Sequence, residues 1–373
     1  MATDTDPVVR LEDVEVHFDD SSLFERLFGD ETIVHAVDGV SLDIPENEVI
    51  ALVGESGCGK TTLGKVTVGL QEPTGGTVRY RGQDVWATKR GNADGEIPYE
   101  EIRQSLQIIH QDPGSSLNPN RTVRTSLSVP LKITQPQLDA AARDKRIFQL
   151  LEFLGMKPAQ DYANRYPHQL SGGEQQRVAL GRALLMSPDV ILADEAVSAL
   201  DVSLRVEMMD LMHDLQEVFG TSFVFVSHDF ANARYFAGKV GGKIGVMYLG
   251  ELVEFGPAED VIANPQHPYT KVLSWATPTL DPDLAAQESM DPPVREIDIP
   301  DPIDPPTGCR FHTRCPDARE VCSRECPSLH ESDTESLAAC FRMDSTHEYW
   351  NSEPLSDDAD PEPADPPQTV NRQ

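Results

Sequence analysis

The segment Gly54-Glu55-Ser56-Gly57-Cys58-Gly59-Lys60-Thr61-Thr62 fits the pattern G-x-x-x-x-G-K-[ST] without a mismatch. In that pattern glycines let successive backbone N–H groups wrap phosphate oxygens, and the helix that follows adds a favourable dipole. Gly54, Ser56, Gly57 and Gly59 would form the cradle, with Cys58 as a small filler at a variable position. Lys60 would bridge the β- and γ-phosphates of ATP, Thr61 would ligate Mg²⁺ and Thr62 would reach the α-phosphate. Much later, Val190-Ile191-Leu192-Ala193-Asp194-Glu195 sets two carboxylates at the mouth of an apolar run. Such a pair can divide labour, Asp194 holding the hydrated Mg²⁺ and Glu195 orienting and polarising the attacking water. Acidic pairs also end strands at ordinary surfaces, but here a nucleotide loop gives them something to serve. A third segment, Leu170-Ser171-Gly172-Gly173-Glu174-Gln175-Gln176-Arg177, places a serine and two glycines at a helix start, a second anion site.

These loops need strands and helices to hold them. Residues 8–18 and 34–44 alternate apolar and polar side chains in the manner of half-buried strands, with an irregular insertion over 21–32 between them. Continuous apolar runs at 49–53, 190–193 and 222–226 predict buried strands. The phosphate loop directly follows the first of these and opens a helix. That order predicts an α/β fold, a parallel sheet flanked by helices with its chemistry at the carboxyl ends of the strands. A helical subdomain is expected over about 113–188, including helices near 138–155 and from Gly172. Pro and Asp crowd 278–306, which suits an extended connector, and 351–373 is acidic and Pro-rich with little to bury. Three regions follow: a nucleotide-binding domain over 1–260, an extension over 261–345 and an acidic disordered tail over 346–373.

By these three motifs together the chain resembles the ABC-type ATPases, since only that superfamily adds LSGG-x-Q to the other two segments. The resemblance implies a RecA-like sheet core with a helical subdomain, and an enzyme that hydrolyses ATP. It also implies that Ser171, Gly172 and Gly173 close over the γ-phosphate bound by a second ATPase subunit. Gln111 matches the family's Q-loop, which contacts metal and water and reports nucleotide state to a membrane partner. His228, in Val226-Ser227-His228-Asp229, matches the switch histidine, and Asp201 matches the D-loop that couples two sites of a dimer. Phe18 is assigned to adenine stacking, although an aromatic at a strand end is also ordinary core.

Further segments resemble the importer ATPases for oligopeptides and dipeptides. These are Gln111-Asp112-Pro113-Gly114-Ser115-Ser116-Leu117-Asn118-Pro119, Asn264-Pro265-Gln266-His267-Pro268-Tyr269-Thr270, and a tail bearing Cys309, Cys315, Cys322 and Cys340. Together the likeness spans about 8–342. It implies two transmembrane permease subunits, an extracellular solute-binding protein and a partner ATPase that is usually a paralogue. It departs in three places: Ala196 stands where the family has Pro, extra residues fall near 238–243, and Cys326 is additional. Four thiolates suit a [4Fe–4S] cluster or Zn²⁺, and spacing alone does not separate these from reduced free cysteines. The family resemblance favours the cluster. Dipeptides, longer peptides, nickel complexes and oligosaccharides all stay open as cargo.

Composition narrows the setting. No run approaches the roughly 18–20 apolar residues that cross a bilayer, and the acidic start Met1-Ala2-Thr3-Asp4 does not read as a secretory signal. The expectation is a cytosolic chain acting on the cytoplasmic face of a membrane. With 62 acidic against 31 basic residues the formal charge is −31, which repels nucleic-acid backbones. A soluble nucleic-acid-associated ABC ATPase, using the cysteine tail as a finger, is therefore the weaker reading. Acidic residues are spread along the whole chain and Arg outnumbers Lys, the pattern of a halophilic surface whose self-repulsion is screened by salt. The expected outcome is a loss of fold and ATPase activity on dialysis from molar to low salt, followed by circular dichroism. Equal behaviour in both would overturn the halophilic reading.

Overall fold

In the computed structural model, residues 6–19, 33–92, 95–277, 294–295, 298 and 300–355 are described. The insertion over 21–32, most of the connector over 278–306 and the end of the tail over 356–373 lie outside them.

The apolar runs form the strands that their burial requires. Strands β1 (Val9–Asp19), β2 (Ile33–Ile44), β4 (Gly75–Tyr80) and β5 (Gln83–Asp84) make one antiparallel sheet in the order β2-β1-β4-β5. A second sheet of eight strands runs β11-β12-β10-β9-β3-β8-β7-β6. Its members are β3 (Val49–Val53), β6 (Leu106–Ile109), β7 (Val190–Asp194), β8 (Ser222–Ser227), β9 (Lys243–Tyr248), β10 (Glu251–Pro257), β11 (His330–Glu331) and β12 (Leu337–Ala338). The five strands β9, β3, β8, β7 and β6 pair in parallel, while β10, β12 and β11 continue antiparallel. All residues of β3, β7 and β8 are buried, as continuous apolar strands covered on both faces must be.

Between β6 and β7 in the sequence lie the helices Val123–Thr134, Ala140–Phe153 and Gly172–Leu184, with shorter turns between them. Asp139 caps the second by accepting from the Ala142 N–H. The helix Lys60–Thr67 packs on the parallel strands so closely that a Cβ at Gly64 would sit 2.6 Å from Leu192 Cδ1. A side chain there would force Leu192 or the helix to shift.

The C-terminal residues do not form a separate globule. β12 pairs with β10, through Glu254↔Ala338 and Phe255↔Leu337, so the extension continues the main sheet. Disorder from residue 346 does not hold for 346–355. Tyr349 is 5% exposed and donates to Asp317 O at 2.8 Å, and Leu355 N donates to Ala318 O at 3.0 Å, so this stretch has an apolar anchor and backbone partners.

His267 opens the helix Pro268–Trp275 as its cap, Nδ1 accepting from the Tyr269 N–H at 3.1 Å. Burial foremost, then the charges of Arg342 and Lys271, push this imidazole down from 6.5 to about 3. An unfolded chain takes up the proton below about 6.5 and the folded chain does not until about 3. Stability is therefore fully present above 6.5 and is lost as pH falls towards 3. The substitution His267→Asn keeps a side-chain acceptor, so its urea midpoint is expected to fall less steeply with pH than that of the unsubstituted protein.

Candidate nucleotide site

The site is assembled on the carboxyl edge of the parallel strands. At the end of β3 the chain turns through a loop in which Gly59 has φ +100° and lies so near β2 that a Cβ would meet Ala36 O at 1.9 Å. Only glycine fits there. Lys60, 5% exposed, folds its ammonium into the loop and donates to Gly54 O at 2.9 Å and Glu55 O at 2.8 Å. Ser56 and Gly57 are exposed, Thr62 is half-buried and Cys58 is buried. Burial pushes the Cys58 thiol up, which suits a neutral filler 3.6 Å from Lys60 Nζ.

Thr61 Oγ1 donates to Asp194 Oδ1 at 2.7 Å, tying the first residues of the helix to the end of β7. This hydroxyl and carboxylate are hard oxygen ligands of the kind Mg²⁺ takes. One residue further on, Glu195 adopts φ +49° and its N–H donates to Val226 O at 3.1 Å. That turn brings Glu195 Oε1 to 3.1 Å from His228 Nδ1 just past β8. Gln111 is exposed beyond β6, whose last residue, Ile109, pairs with Ala193 of β7.

The other assigned residues lie on other elements. Ser171 and Gly172 are exposed at the start of their helix. Ser171 Oγ accepts from Glu174 N at 3.3 Å, and Ser171 N donates to Glu174 Oε2 at 2.7 Å, a reciprocal cap. Gly172 has no atom within 4 Å of where its Cβ would be, and Gly173 has only leucine tips at 3.6 and 3.9 Å. The side chain of Asp201 caps the helix Val202–Phe219 by accepting from Leu204 N at 3.0 Å. Phe18 is 41% exposed near the end of β1, opposite Val34.

Contacts that motif reading does not supply grip the phosphate loop from the C-terminal side. The Arg314 guanidinium, with its side chain 5% exposed, donates to both oxygens of Glu55 at 3.0–3.2 Å. Fully buried Tyr269 accepts from the Glu55 N–H at 2.8 Å through its hydroxyl. Tyr269 belongs to the segment 264–270, whose unusual His-Pro-Tyr run is the one sequence signal pointing to this contact. Arg314 carries none beyond its place beside Cys315.

Four of the tail cysteines converge. Cys309, Cys315, Cys322 and Cys340 line one small cavity together with His267, Phe311, Phe341 and Tyr349. Burial pushes the Cys309 and Cys322 thiols up and takes Cys315 to about 12. Cys326 is exposed elsewhere, its sulfur 3.5 Å from Glu251 Oε1.

A phosphate loop, a strand-ending Asp-Glu pair and an exposed LSGG helix start on this α/β core define an ABC-type ATPase. Comparison with known proteins agrees. The family described as ABC transporter matches residues 37–198, and that described as Oligopeptide/dipeptide transporter, C-terminal region, matches 253–322. The oligopeptide transport ATP-binding protein AppF of Bacillus subtilis is 38% identical over 341 residues, 91% of this chain and 98% of that protein. The dipeptide transport ATP-binding protein DppF of Haemophilus influenzae is 41% identical over 318 residues, 85% and 92% of the two chains. A dimeric post-hydrolysis structure of the ATP-binding cassette MJ0796, bound to ADP and Pi, is 28% identical with TM-score 0.55 and covers 67% of this chain and 98% of its own. The chain belongs to the ATP-binding proteins of the oligopeptide/dipeptide ABC transporter family.

The Arg314–Glu55 fork generates a direct expectation. Charge-assisted hydrogen bonds contribute about 1.5–3 kcal/mol, so Arg314→Met should weaken Mg-ATP binding about tenfold, as the loop loses its support. Glu55→Gln alone should do less, and the double variant should match Arg314→Met, the non-additivity of a shared contact. Isothermal titration calorimetry of the four proteins checks this.

Proposed function

We propose that this subunit hydrolyses ATP to drive import of di- or oligopeptides. In this reading it works on the cytoplasmic face of the membrane, beneath two transmembrane permease subunits supplied by an extracellular solute-binding protein. Its ATPase partner is a second ABC subunit, a paralogue of this chain. The contact that carries the reading is Glu195 Oε1 to His228 Nδ1 at 3.1 Å, beside the 2.7 Å Thr61–Asp194 bond, because together they give one site a place for metal and a base for water. Peptide cargo is supported by the printed names of the relatives and by the match over 253–322. The dimeric MJ0796 cassette supports pairing. A charge of −31 weighs against nucleic acid as a partner.

The residues divide the work as follows. Gly54, Ser56, Gly57, Cys58, Gly59 and Thr62 present backbone and hydroxyl donors to the phosphates, while the Lys60 ammonium, already desolvated, neutralises the β- and γ-oxygens. Thr61, Asp194 and Gln111 are the residues that would hold Mg²⁺, which when bound would supply positive charge to the β- and γ-phosphates. Glu195 accepts a hydrogen bond from the attacking water, and His228 fixes that carboxylate and reaches towards the γ-phosphate. Phe18 offers its exposed ring to adenine. Ser171, Gly172 and Gly173 face outward, and that suits a site completed across a head-to-tail pair: each chain lends its helix start to the other's γ-phosphate. Asp201, rigid as a helix cap, lies on the same seam.

Cys309, Cys315, Cys322 and Cys340 are assigned to a [4Fe–4S] cluster, with Zn²⁺ as the alternative. A zinc ion bound through sulfur at 2.3 Å needs its thiolates about 3.8 Å apart. Among the described residues, the one group of three or more potential ligands whose donor atoms all lie within 4.8 Å of one another contains no cysteine. Either group would staple a segment with few apolar residues of its own.

Glu195→Gln should bind Mg-ATP with near-normal affinity, hydrolyse it about 10²-fold or more slowly, and accumulate as a closed dimer in size-exclusion chromatography. Near-normal turnover would remove Glu195 from the base role. Anaerobically purified protein should be brown, with visible absorbance bleached by dithionite. A colourless protein carrying one equivalent of zinc would replace the cluster with the ion.

A further inference from the structure

Outside the nucleotide site, two histidines and an aspartate meet on the β1–β2 hairpin. His17 and His35 are directly opposed in the antiparallel register, their ring centroids 4.3 Å apart. His17 Nε2 lies 3.5 Å from Asp38 Oδ1, and His35 Nδ1 lies 3.4 Å from Asp38 Oδ2. The three side chains place their ligand atoms all within 4.8 Å of one another. Both nitrogens are shielded from solvent, and beyond these long approaches to Asp38 neither makes a hydrogen bond.

An unpaired buried donor or acceptor is costly, and a charge-assisted His–Asp bond would close to about 2.7–2.9 Å. The observed separations are longer. They are close to the roughly 3.3–3.4 Å that separates ligands bound at about 2.0–2.1 Å, although they run to the two different oxygens of Asp38, one of which would have to serve both imidazoles. The carboxylate is also held for such a role. Arg310, its side chain 9% exposed, pairs with Asp38 Oδ2 and with Glu251 at 3.1 Å, and donates to Leu249 O. A carboxylate anchored from behind by a hydrogen-bonding partner is the usual outer support of a metal ligand.

We propose that His17 Nε2, His35 Nδ1 and Asp38 bind one late first-row divalent cation, of which Zn²⁺ is the natural representative. Two imidazoles and one carboxylate suit Zn²⁺, Co²⁺ or Ni²⁺ and are a poor set for Mg²⁺ or Ca²⁺, which take oxygen. The fourth tetrahedral position falls to water. Because successive side chains alternate across a strand, the ion sits on the opposite face of the hairpin from Phe18 and Val34. It would tie β1 to β2 behind that face and, through Arg310, to the segment that begins at Cys309.

The test is a titration of the full chain with Co²⁺, in the unsubstituted protein, His17→Ala and His35→Gln. A cation on nitrogen and oxygen ligands gives visible d–d bands without the near-ultraviolet charge-transfer band of thiolates, so binding at the cysteines is recognised separately. The expected result is one thiolate-free Co²⁺ per chain, displaced by Zn²⁺, with affinity lost about tenfold or more in both variants. Added Zn²⁺ should raise the melting midpoint of the unsubstituted protein more than that of either variant, since any effect at the cysteines is common to all three. Thiolate-free binding that survives both substitutions, cobalt bound to thiolates alone, or no binding at micromolar metal would each overturn the proposal. Both side chains are partly exposed, and the metal-free melting curve of each variant shows that it folds. Should one variant be unfolded, the other carries the comparison.

Discussion

The hydrogen bond from Thr61 Oγ1 to Asp194 Oδ1 joins the first turn of a helix to the end of a strand 133 residues away in sequence, and it forms only if two strands and a helix are placed to within tenths of an ångström. Thr61 is fixed by the helix that starts at Lys60, and that helix by its contact with the sheet at Gly64. Asp194 is fixed by β7, whose register against β8 sets Asp194 opposite Val226, while β8 in turn sets Ser227 opposite Val53 at the end of β3. Parallel strands buried on both faces cannot slip by one residue without moving every side chain to the other face. The chemistry at the strand ends therefore inherits its precision from the apolar runs behind it. A slip in β7 would separate the hydroxyl from the carboxylate and also carry Glu195 away from His228.

One of the left-handed residues falls on the same edge. Glu195 sits at φ +49°, a conformation that costs a residue with a side chain roughly 1–2 kcal/mol. Its N–H is tied to Val226 O, and Ser198 donates to its carbonyl through both N–H and hydroxyl, so the surroundings over-determine the turn. The effect is to rotate the carboxylate away from the direction Asp194 takes and towards His228. Two adjacent acidic residues thereby acquire different partners, a hydroxyl for one and an imidazole for the other. Strain at such a position is the common companion of a group held ready for a reaction.

Much of this was legible in the sequence because each element combined a local signal with a motif. β3 and its loop carried both an apolar run and the glycine pattern, and the helix at Gly172 carried both a capping serine and the LSGG segment. β9 escaped notice, since Gly245 interrupts its run and the glycines at 241 and 242 read as loop. β12 is two residues long, with no periodicity to find, and exists only because β10 offers a free edge. The order of 346–355 was hidden by acidic composition, which described the surface of that stretch and missed the single buried Tyr349. The grip on Glu55 was hidden for a different reason. Arg314 is 259 residues away and acts as one charge in a tail otherwise marked by cysteines, so no spacing rule connects the two.

That grip bears on how a chain so short of basic residues uses them. Arg310, Arg314 and Arg342 all lie in the C-terminal segment with side chains at most 18% exposed, and each meets a carboxylate: Asp38, Glu55 and Asp317. Desolvating a guanidinium costs about as much as such a pair returns, so apolar packing could have joined extension to core at no loss of stability. An apolar contact, however, has no preferred direction. The planar fork of Arg314 accepts only a carboxylate in its own plane, and with the Tyr269 hydroxyl on the Glu55 N–H it fixes both the side chain and the peptide of one phosphate-loop residue. Arg310 does the same for the hairpin at Asp38. The extension is thus better understood as a template for the geometry of the nucleotide loop than as an added source of stability. Its arginines sit beside Cys309 and Cys315 because the residues that order the tail and the residues that reach out from it must be held by the same short turn.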